Sequence, residues 1–375
     1  MHSDEEEEPL FPVEEEVTHV DPTKMEVKYA FNKNSAYKKH LRGYCVKHYY
    51  QYTVYKSDKT RLRVRYKTFM SMTISFAAPM RGFQKACRGV IGLDACHLTG
   101  KRGGVLMAAT TIDGQNSLVP LGIRVAKSET KESWTGFLKD LAPAINAHHA
   151  GRITFIKGLL ESVPKVLPGA RVRYCFRHLY KNFKKYHKAP TLHSLLWNAC
   201  KAYKVRHFQE HFDNICKESP AAGEYLRKED PSTWSRAYFD PLSCCEHMNN
   251  NFSESFNSMS SNMRDKPIIQ LGMMYGQLVM GFLFKRKEES AKWNQNDLVP
   301  AAVKLINKML DLVGKFDTEG SVVGQVYLVT NVSTKKIFTV NIVDKQCTCL
   351  QWQLRGFPCQ HAVCALKLLR PNWKE

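Results

Sequence analysis

Four residues near the C-terminal end constrain this chain more than any other feature. Cys347 and Cys349 stand ahead of Cys359 and His361 in the pattern C-x-C-x9-C-x-H. Tetrahedral zinc takes four nitrogen or sulfur ligands, and two close pairs on either side of a loop supply them. A strand carrying Cys347 and Cys349 would turn both thiols to one side, because strand side chains alternate with a period of two. Gly356 and Pro358 would turn the chain back, so that Cys359 and His361 enter at the start of an apolar helix, Ala362–Leu369. Residues 321–346 read as β, with strands Val322–Thr330 and Lys336–Val343 joined around Ser333-Thr334. A ββα unit of this size has little core of its own, so a structural zinc ion would contribute folding energy directly. Cys364, on the same helix, is the rival ligand. Four unrelated core residues are the bland alternative, and two tight pairs argue against it.

Charge is the next constraint. The chain carries 55 Lys and Arg against 35 Asp and Glu, yet residues 1–16 hold eight of the acids and no Lys or Arg. The remainder therefore has 55 basic residues against 27 acidic ones. A body this basic faces a polyanion, most simply DNA. Residues 1–25, with Glu5–Glu8 and Glu14–Glu16, read as a disordered acidic tail with no apolar signal segment. The longest apolar stretch, Gly272–Phe284, is too short to span a bilayer, so no membrane partner is expected. Twelve cysteines fit thiols and metal ligands better than a disulfide framework.

Residues 26–67 read as a small βαββ unit: a strand over 25–31, a helix opened by Asn34 or Ser35, and two strands around Ser57-Asp58-Lys59. In the last strand Arg61, Arg63, Arg65 and Lys67 fall on one face and Leu62, Val64 and Tyr66 on the other. Four cations on one strand face suit a row of phosphates, against the plainer reading of a solvated outer face. Residues 68–87 read as a linker. Beyond them come strands at 90–94, 105–112 and 118–125, a helix at 131–145, a strand at 152–156, a helix at 158–166, a strand at 171–175 and a basic helix at 177–188. The order βββαβαβα is that of a ribonuclease H-like core, and the fold class is α/β. Residues 190–315 read as all-helical, the helical insertion running to 290 and a helical connector spanning 291–320.

Three stretches carry a family resemblance. The segment GVIGLDACHLTGKRGGVLMAATTIDGQNSLVPLGIRVAKSETKESWTGFLKDL resembles the heart of the plant Mutator-like element (MULE) transposases. CFRHLYKNFKK and NNNFSESFN resemble two further landmarks of that family, and CTCLQWQLRGFPCQHAVCAL resembles the SWIM zinc finger in every ligand position. The N-terminal unit is similar to the family's DNA-binding module, shortened by the loss of its Cys/His section. The resemblance implies two-metal phosphoryl transfer, in which three carboxylates hold a pair of Mg²⁺ ions. Asp94 would be the first and Glu254 the third. The second should follow the fourth core strand, but there ITFI runs into Lys157-Gly158-Leu159-Leu160, and the nearest acid is Glu161.

The expectation is a nuclear, transposase-derived protein that binds zinc and DNA through a crippled nuclease core. One alternative is an active DDE-type transposase using Mg²⁺ and Glu161. Another is a zinc-stapled adaptor that binds protein partners or copies of itself. Cys175 and His178 resemble a cysteine–histidine landmark, and with Cys244, Cys245 and His247 they are weaker candidates for a second metal site. Ordinary buried thiols are the competing reading.

Overall fold

The computed structural model describes residues 50–57, 62–68, 71–101, 103–149, 152–156, 161–294, 296–322 and 324–369. The acidic tail, the strand and helix expected before residue 50, Arg61 and the 157–160 junction lie outside them. The chain divides into two units, residues 1–70 and 71–375.

In the first unit β1 (Tyr50–Ser57) pairs antiparallel with β2 (Leu62–Thr68), with a register shift between Val54 and Lys56. Arg63, Arg65 and Lys67 occupy alternate positions of β2, opposite Lys56, Thr53 and Gln51.

The second unit opens with β3 (Ser71–Ser75) and α1 (Ala77–Ala86). This corrects the expectation of a linker over 68–87. β3 pairs along its length with a core strand, and α1 buries Pro79, Met80 and Phe83 at helical spacing. Then follow β4 (Val90–His97), β5 (Val105–Ile112), β6 (Leu118–Ala126), α2 (Lys131–His149), β7 (Thr154–Ile156), α3 (Ser162–Val166), β8 (Arg171–Arg173) and α4 (Phe176–Tyr186). The sheet order is β3-β6-β5-β4-β7-β8. From β3 through β6 and β5 to β4 each pairing is antiparallel, and β7 and β8 add parallel to β4.

Every residue of β5 is buried, which a strand covered on both faces requires. Val105, Met107 and Ala109 join a core with Trp134, Phe137, Leu138, Leu141 and Ile145, the apolar stripe of α2. The alternate residues of β5 face the other way, where a later helix covers them. Asp113 closes the β5–β6 turn by accepting from the backbone N–H of Gln115 and Ser117, each at 2.9 Å.

A helical block follows: α5 (Pro190–Lys201), α6 (Val205–Glu218), α7 (Pro220–Arg227) and α8 (Pro231–Trp234), then short 3₁₀ turns at Arg236–Tyr238 and Pro241–Ser243. Phe176, Phe183, Phe208, Phe212 and Trp234 form its core. Next come α9 (Asn251–Met259), α10 (Ile268–Ala291) and α11 (Pro300–Leu310). α10 has 24 residues and is long and apolar enough to cross a membrane by length and composition, more than its 272–284 apolar stretch suggested. It is held against protein at both ends. A Cβ at Gly272 would meet Ile74, and Arg286 donates to the Leu118 carbonyl and pairs with Asp113.

The C-terminal part is β9 (Phe316–Val322), β10 (Val326–Asn331), β11 (Ile337–Asn341), β12 (Gln346–Cys347), α12 (Gln351–Arg355) and α13 (Gln360–Leu369). The expected ββα unit is therefore a four-stranded antiparallel sheet with two helices. The connector expected to be helical to 320 turns into β9 at Phe316, and Val322 ends that strand instead of opening the next. A turn with Gly324 at φ +73° separates the two strands.

Candidate metal centre and carboxylate cleft

At the C-terminus the chain brings Cys347, Cys349, Cys359 and His361 together, all four buried, with their ligand atoms within 4.8 Å of one another. The imidazole Nδ1 of His361 lies 3.6 Å from Cys347 Sγ and 3.9 Å from Cys359 Sγ. Ordinary zinc–sulfur and zinc–nitrogen bonds at tetrahedral angles give edges of about 3.8 Å between sulfurs and about 3.5 Å from sulfur to nitrogen. The two sulfur–nitrogen separations are close to that edge.

Local backbone geometry explains the convergence, and not as strand alternation alone would have it. β12 ends at Cys347, and Cys349 sits in a turn closed by the Leu350 N–H to Cys347 carbonyl bond of 2.8 Å. Leu350 and Gly356 both take left-handed backbone conformations, and the second reverses the chain toward Cys359. Backbone N–H groups aim at two of the sulfurs: Cys349 donates to Cys347 and Ala362 to Cys359, each at 3.5 Å. Such donors favour thiolates. Hydrogen bonds from Cys347 and Cys349 hold the Cys359 thiol far below its ordinary value, while hydrogen bonding to Cys349 and Cys359 pushes Cys347 up. The three thiols compete for the same hydrogen bonds and charge, a competition that a divalent cation would relieve.

The ring of His361 stacks on Phe338 at 3.7 Å and meets Phe316 edge-on at 5.2 Å. With Nδ1 facing the sulfurs as the metal ligand, Nε2 would be the nitrogen left to donate. The Gln360 side-chain amide lies 3.4 Å from it and can accept once its oxygen is turned inward. Cys364 stays outside the cluster, and burial pushes its thiol up to about 11.

The second candidate site lies where α9 crosses β4 and β5. Gly92 makes this crossing feasible, because a Cβ there would come within 1.9 Å of Asn250 Oδ1 and 2.2 Å of Ser253 Oγ. A buried polar chain fills the contact. Asn250 Nδ2 donates to the Leu93 carbonyl at 3.0 Å, and Ser253 Oγ donates to Asn250 Oδ1 at 2.7 Å. Ser253 Oγ also lies 2.6 Å from Thr110 Oγ1. These bonds fix the helix that bears Glu254 onto the strand that bears Asp94. Asp94 Oδ2 accepts from Asn257 Nδ2 at 2.7 Å. Glu254 precedes Asn257 by one turn on the same helix face. Its carboxylate pairs with Arg177 at 2.9 Å, and Arg177 also donates to Asn251 Oδ1. Glu161, the expected substitute acid, is exposed and paired with Lys131 at the start of α2.

Among the described residues, Cys175, His178, Cys244, Cys245 and His247 form no second cluster of ligands. The Cys175 sulfur instead accepts from the backbone N–H of Asn250 at 3.4 Å, pinning the start of α9 to the start of α4. Burial pushes the Cys175 and Cys245 thiols up, and burial with the charge of Arg88 brings His247 down to about 4.

In NNNFSESFN the sequence points to Glu254 on a helix opened by residues 249–251, but not to the structural roles of Asn250, Ser253 and Asn257. Their spacing of three and four residues, with Glu254 among them, was the available sign of one polar helix face.

Two family models match the chain. Residues 90–182 match the MULE transposase domain, the segment that holds Asp94, β4–β8 and most of α4. Residues 327–369 match the SWIM zinc finger, the segment that holds the four converging ligands. No curated protein matches the chain. The chain thus carries a segment similar to the MULE transposase domain ahead of a segment similar to the SWIM zinc finger, whose four ligand residues converge.

Proposed function

We propose that this chain is a nuclear, transposase-derived DNA-binding protein whose zinc finger is structural and whose nuclease core does not cut. The observation that carries the reading is the β7–α3 junction. Lys157-Gly158-Leu159-Leu160 stands where a second metal-holding carboxylate belongs, and Glu161 beyond it is taken up by Lys131. Two Mg²⁺ ions held close together beside an anionic phosphate need three carboxylates. Asp94 and Glu254 supply two, and Asn257 and Arg177 already occupy them. The sheet order β6-β5-β4-β7-β8, three antiparallel strands followed by two parallel ones, supports a ribonuclease H-like core.

DNA binding is supported by the excess of 28 positive charges outside residues 1–16. Two stretches suit phosphates. In β2, Arg63, Arg65 and Lys67 alternate along one strand. On α4, Lys181, Lys184 and Lys185 are exposed while Phe176, Leu179 and Phe183 are buried. A nuclear location follows from the DNA target.

The decisive experiment incubates the full chain with duplex DNA, in Mg²⁺ or Mn²⁺, alongside an Asp94→Ala variant. No cleavage or joining above background is expected, with salt-sensitive binding retained. Cleavage that disappears in Asp94→Ala would restore the active-transposase reading.

A further inference from the structure

We propose that the loop between the two zinc-ligand pairs is a latch that positions α9 on β4, so that metal binding at the finger sets the geometry of the Asp94–Glu254 cleft. The proposal rests on the reading that Cys347, Cys349, Cys359 and His361 hold zinc. Arg355 and Glu246 are its positioning residues.

The loop, residues 350–358, is tied at one side to the metal centre. Gln353 accepts from the Cys347 N–H at 3.3 Å and donates to the Cys347 carbonyl at 3.1 Å. The loop begins and ends at ligands, so its path depends on their being held together. Its other side belongs to the rest of the molecule. Leu354 is buried in the helical core with Phe208 and Trp234, and Leu350 packs against the same core. Gly356 passes so close to Cys244 that a Cβ would lie 2.7 Å from the Cys244 Cβ, and its φ is +64°. Arg355 Nε donates to Glu246 Oε2 at 2.8 Å, and its Nη2 donates to the Tyr203 hydroxyl at 3.0 Å. The Tyr203 hydroxyl also donates to Glu246 Oε2.

Glu246 is therefore a shared anchor. Arg236 donates to its backbone carbonyl at 3.1 Å. Its side chain is 20% exposed and that of Arg355 26%, so solvent screens the pair only in part. Four residues after Glu246 comes Asn250, the residue that hydrogen-bonds β4 and opens α9. Between them the Met248 carbonyl accepts from Phe176 at the start of α4, at 2.8 Å. The segment 244–250 thus joins three bodies: the finger loop through Arg355 and Gly356, α4 through Phe176, and β4 through Asn250. Without an ordered loop it loses the first of these. A finger that only contacted external partners would have no need to send its one loop arginine inward.

The test is hydrogen–deuterium exchange on the full chain, read on peptides covering 247–259 and 326–369, with bound zinc counted in the same samples. Arg355→Ala should keep its zinc and raise exchange over 247–259 about tenfold or more, as loss of a charge-assisted bond to a half-buried carboxylate implies. Arg355→Lys should restore part of the protection, because the charge returns without the guanidinium fork. Chelation of the wild-type protein should open 326–369 and raise exchange over 247–259 as well. In chelated protein Arg355→Ala should add nothing further there. The latch is refuted if zinc-loaded Arg355→Ala exchanges like wild type over 247–259. It is equally refuted if chelation opens the finger and leaves 247–259 protected. Wild-type protein isolated without zinc would overturn the metal reading and with it the coupling to metal binding, whereas unchanged exchange in zinc-loaded Arg355→Ala would overturn the latch with the metal reading intact.

Discussion

Replacing Gly92 by alanine tests the architecture of the carboxylate cleft most directly. The added methyl would sit 1.9 Å from Asn250 Oδ1, 2.2 Å from Ser253 Oγ and 2.6 Å from Phe252 Cε2. No rotamer change relieves all three, because Asn250 and Ser253 are buried and bonded to each other and to the sheet. The helix must therefore lift from β4. Overpacking of a filled site costs roughly 1–3 kcal/mol. The lift also breaks the Asn250–Leu93, Ser253–Asn250 and Thr110–Ser253 contacts, and buried groups left without partners cost about 1–3 kcal/mol apiece. The sum is about 4–12 kcal/mol, and at about 2–4 °C per kcal/mol for a larger domain the midpoint should fall by about 10 °C or more. Gly281→Ala is the matched control. It lies exposed inside α10 with nothing within 4 Å of its Cβ position, so alanine should be neutral or stabilise by up to about 1 kcal/mol. Thermal melting followed by intrinsic fluorescence reads both. A Gly92→Ala midpoint within about 2 °C of wild type would show that α9 does not press on β4 as described.

Three further outcomes are expected. Freshly purified protein should carry one zinc per chain, lost on chelation together with the fold of 326–369. Less than half an equivalent, unchanged by Cys349→Ser, would sink the assignment. Reversing Lys181, Lys184 and Lys185 to Glu should weaken duplex binding and flatten its salt dependence, since each released counterion contributes to that slope; unchanged affinity would move the interface off α4. His247 should make the protein acid-sensitive. Its folded value is about 4 against an unfolded value near 6.5. Below about 6.5 the unfolded chain takes a proton that the folded chain refuses, so stability drops as pH falls from there to about 4, by at most about 3 kcal/mol. Urea titrations at pH 7 and pH 5 should show this loss in wild type and less of it in His247→Gln, and equal losses would count against the buried-histidine account.

How much of this was legible in the sequence differs from element to element, for physical reasons. The zinc ligands were legible because coordination demands specific atoms at short spacings, and few other forces place Cys-x-Cys and Cys-x-His side by side. The apolar stripe of α2 was legible because Trp134, Phe137, Leu138 and Leu141 repeat at the helical period. β3 was not, because a five-residue edge strand with four half-buried residues in a row and one exposed carries almost no periodic signal of its own. Its place is decided by β6, some fifty residues later in the chain, through backbone bonds that any side chain can make. β9 was missed for the same reason: five of its seven residues are exposed.

The cleft shows the sharper limit. Asp94 and Glu254 could be named because carboxylates carry recognisable chemistry, yet what holds the helix of one against the strand of the other is a glycine, two hydroxyls and an amide. Gly92 contributes by having no side chain, and Thr110, Ser253 and Asn250 contribute bonds whose partners lie up to 157 residues away. Neutral polar residues such as these are common on any surface, so a sequence reading assigns them to solvent. Burial alone turns them into structure, because inside the protein each must find a partner or cost free energy. The same holds for Arg355 and Glu246, two ordinary charges 109 positions apart. If positioning in this protein depends on such pairs, then Glu246→Gln should disturb α9 while leaving the zinc ligands, Asp94 and Glu254 chemically intact. It keeps a hydrogen-bond acceptor for Arg355 and removes the charge, so exchange over 247–259 should rise, but less than in Arg355→Ala. A larger rise in Glu246→Gln than in Arg355→Ala would mean that Arg236 and Tyr203, and not the finger, are the partners that hold this segment in place.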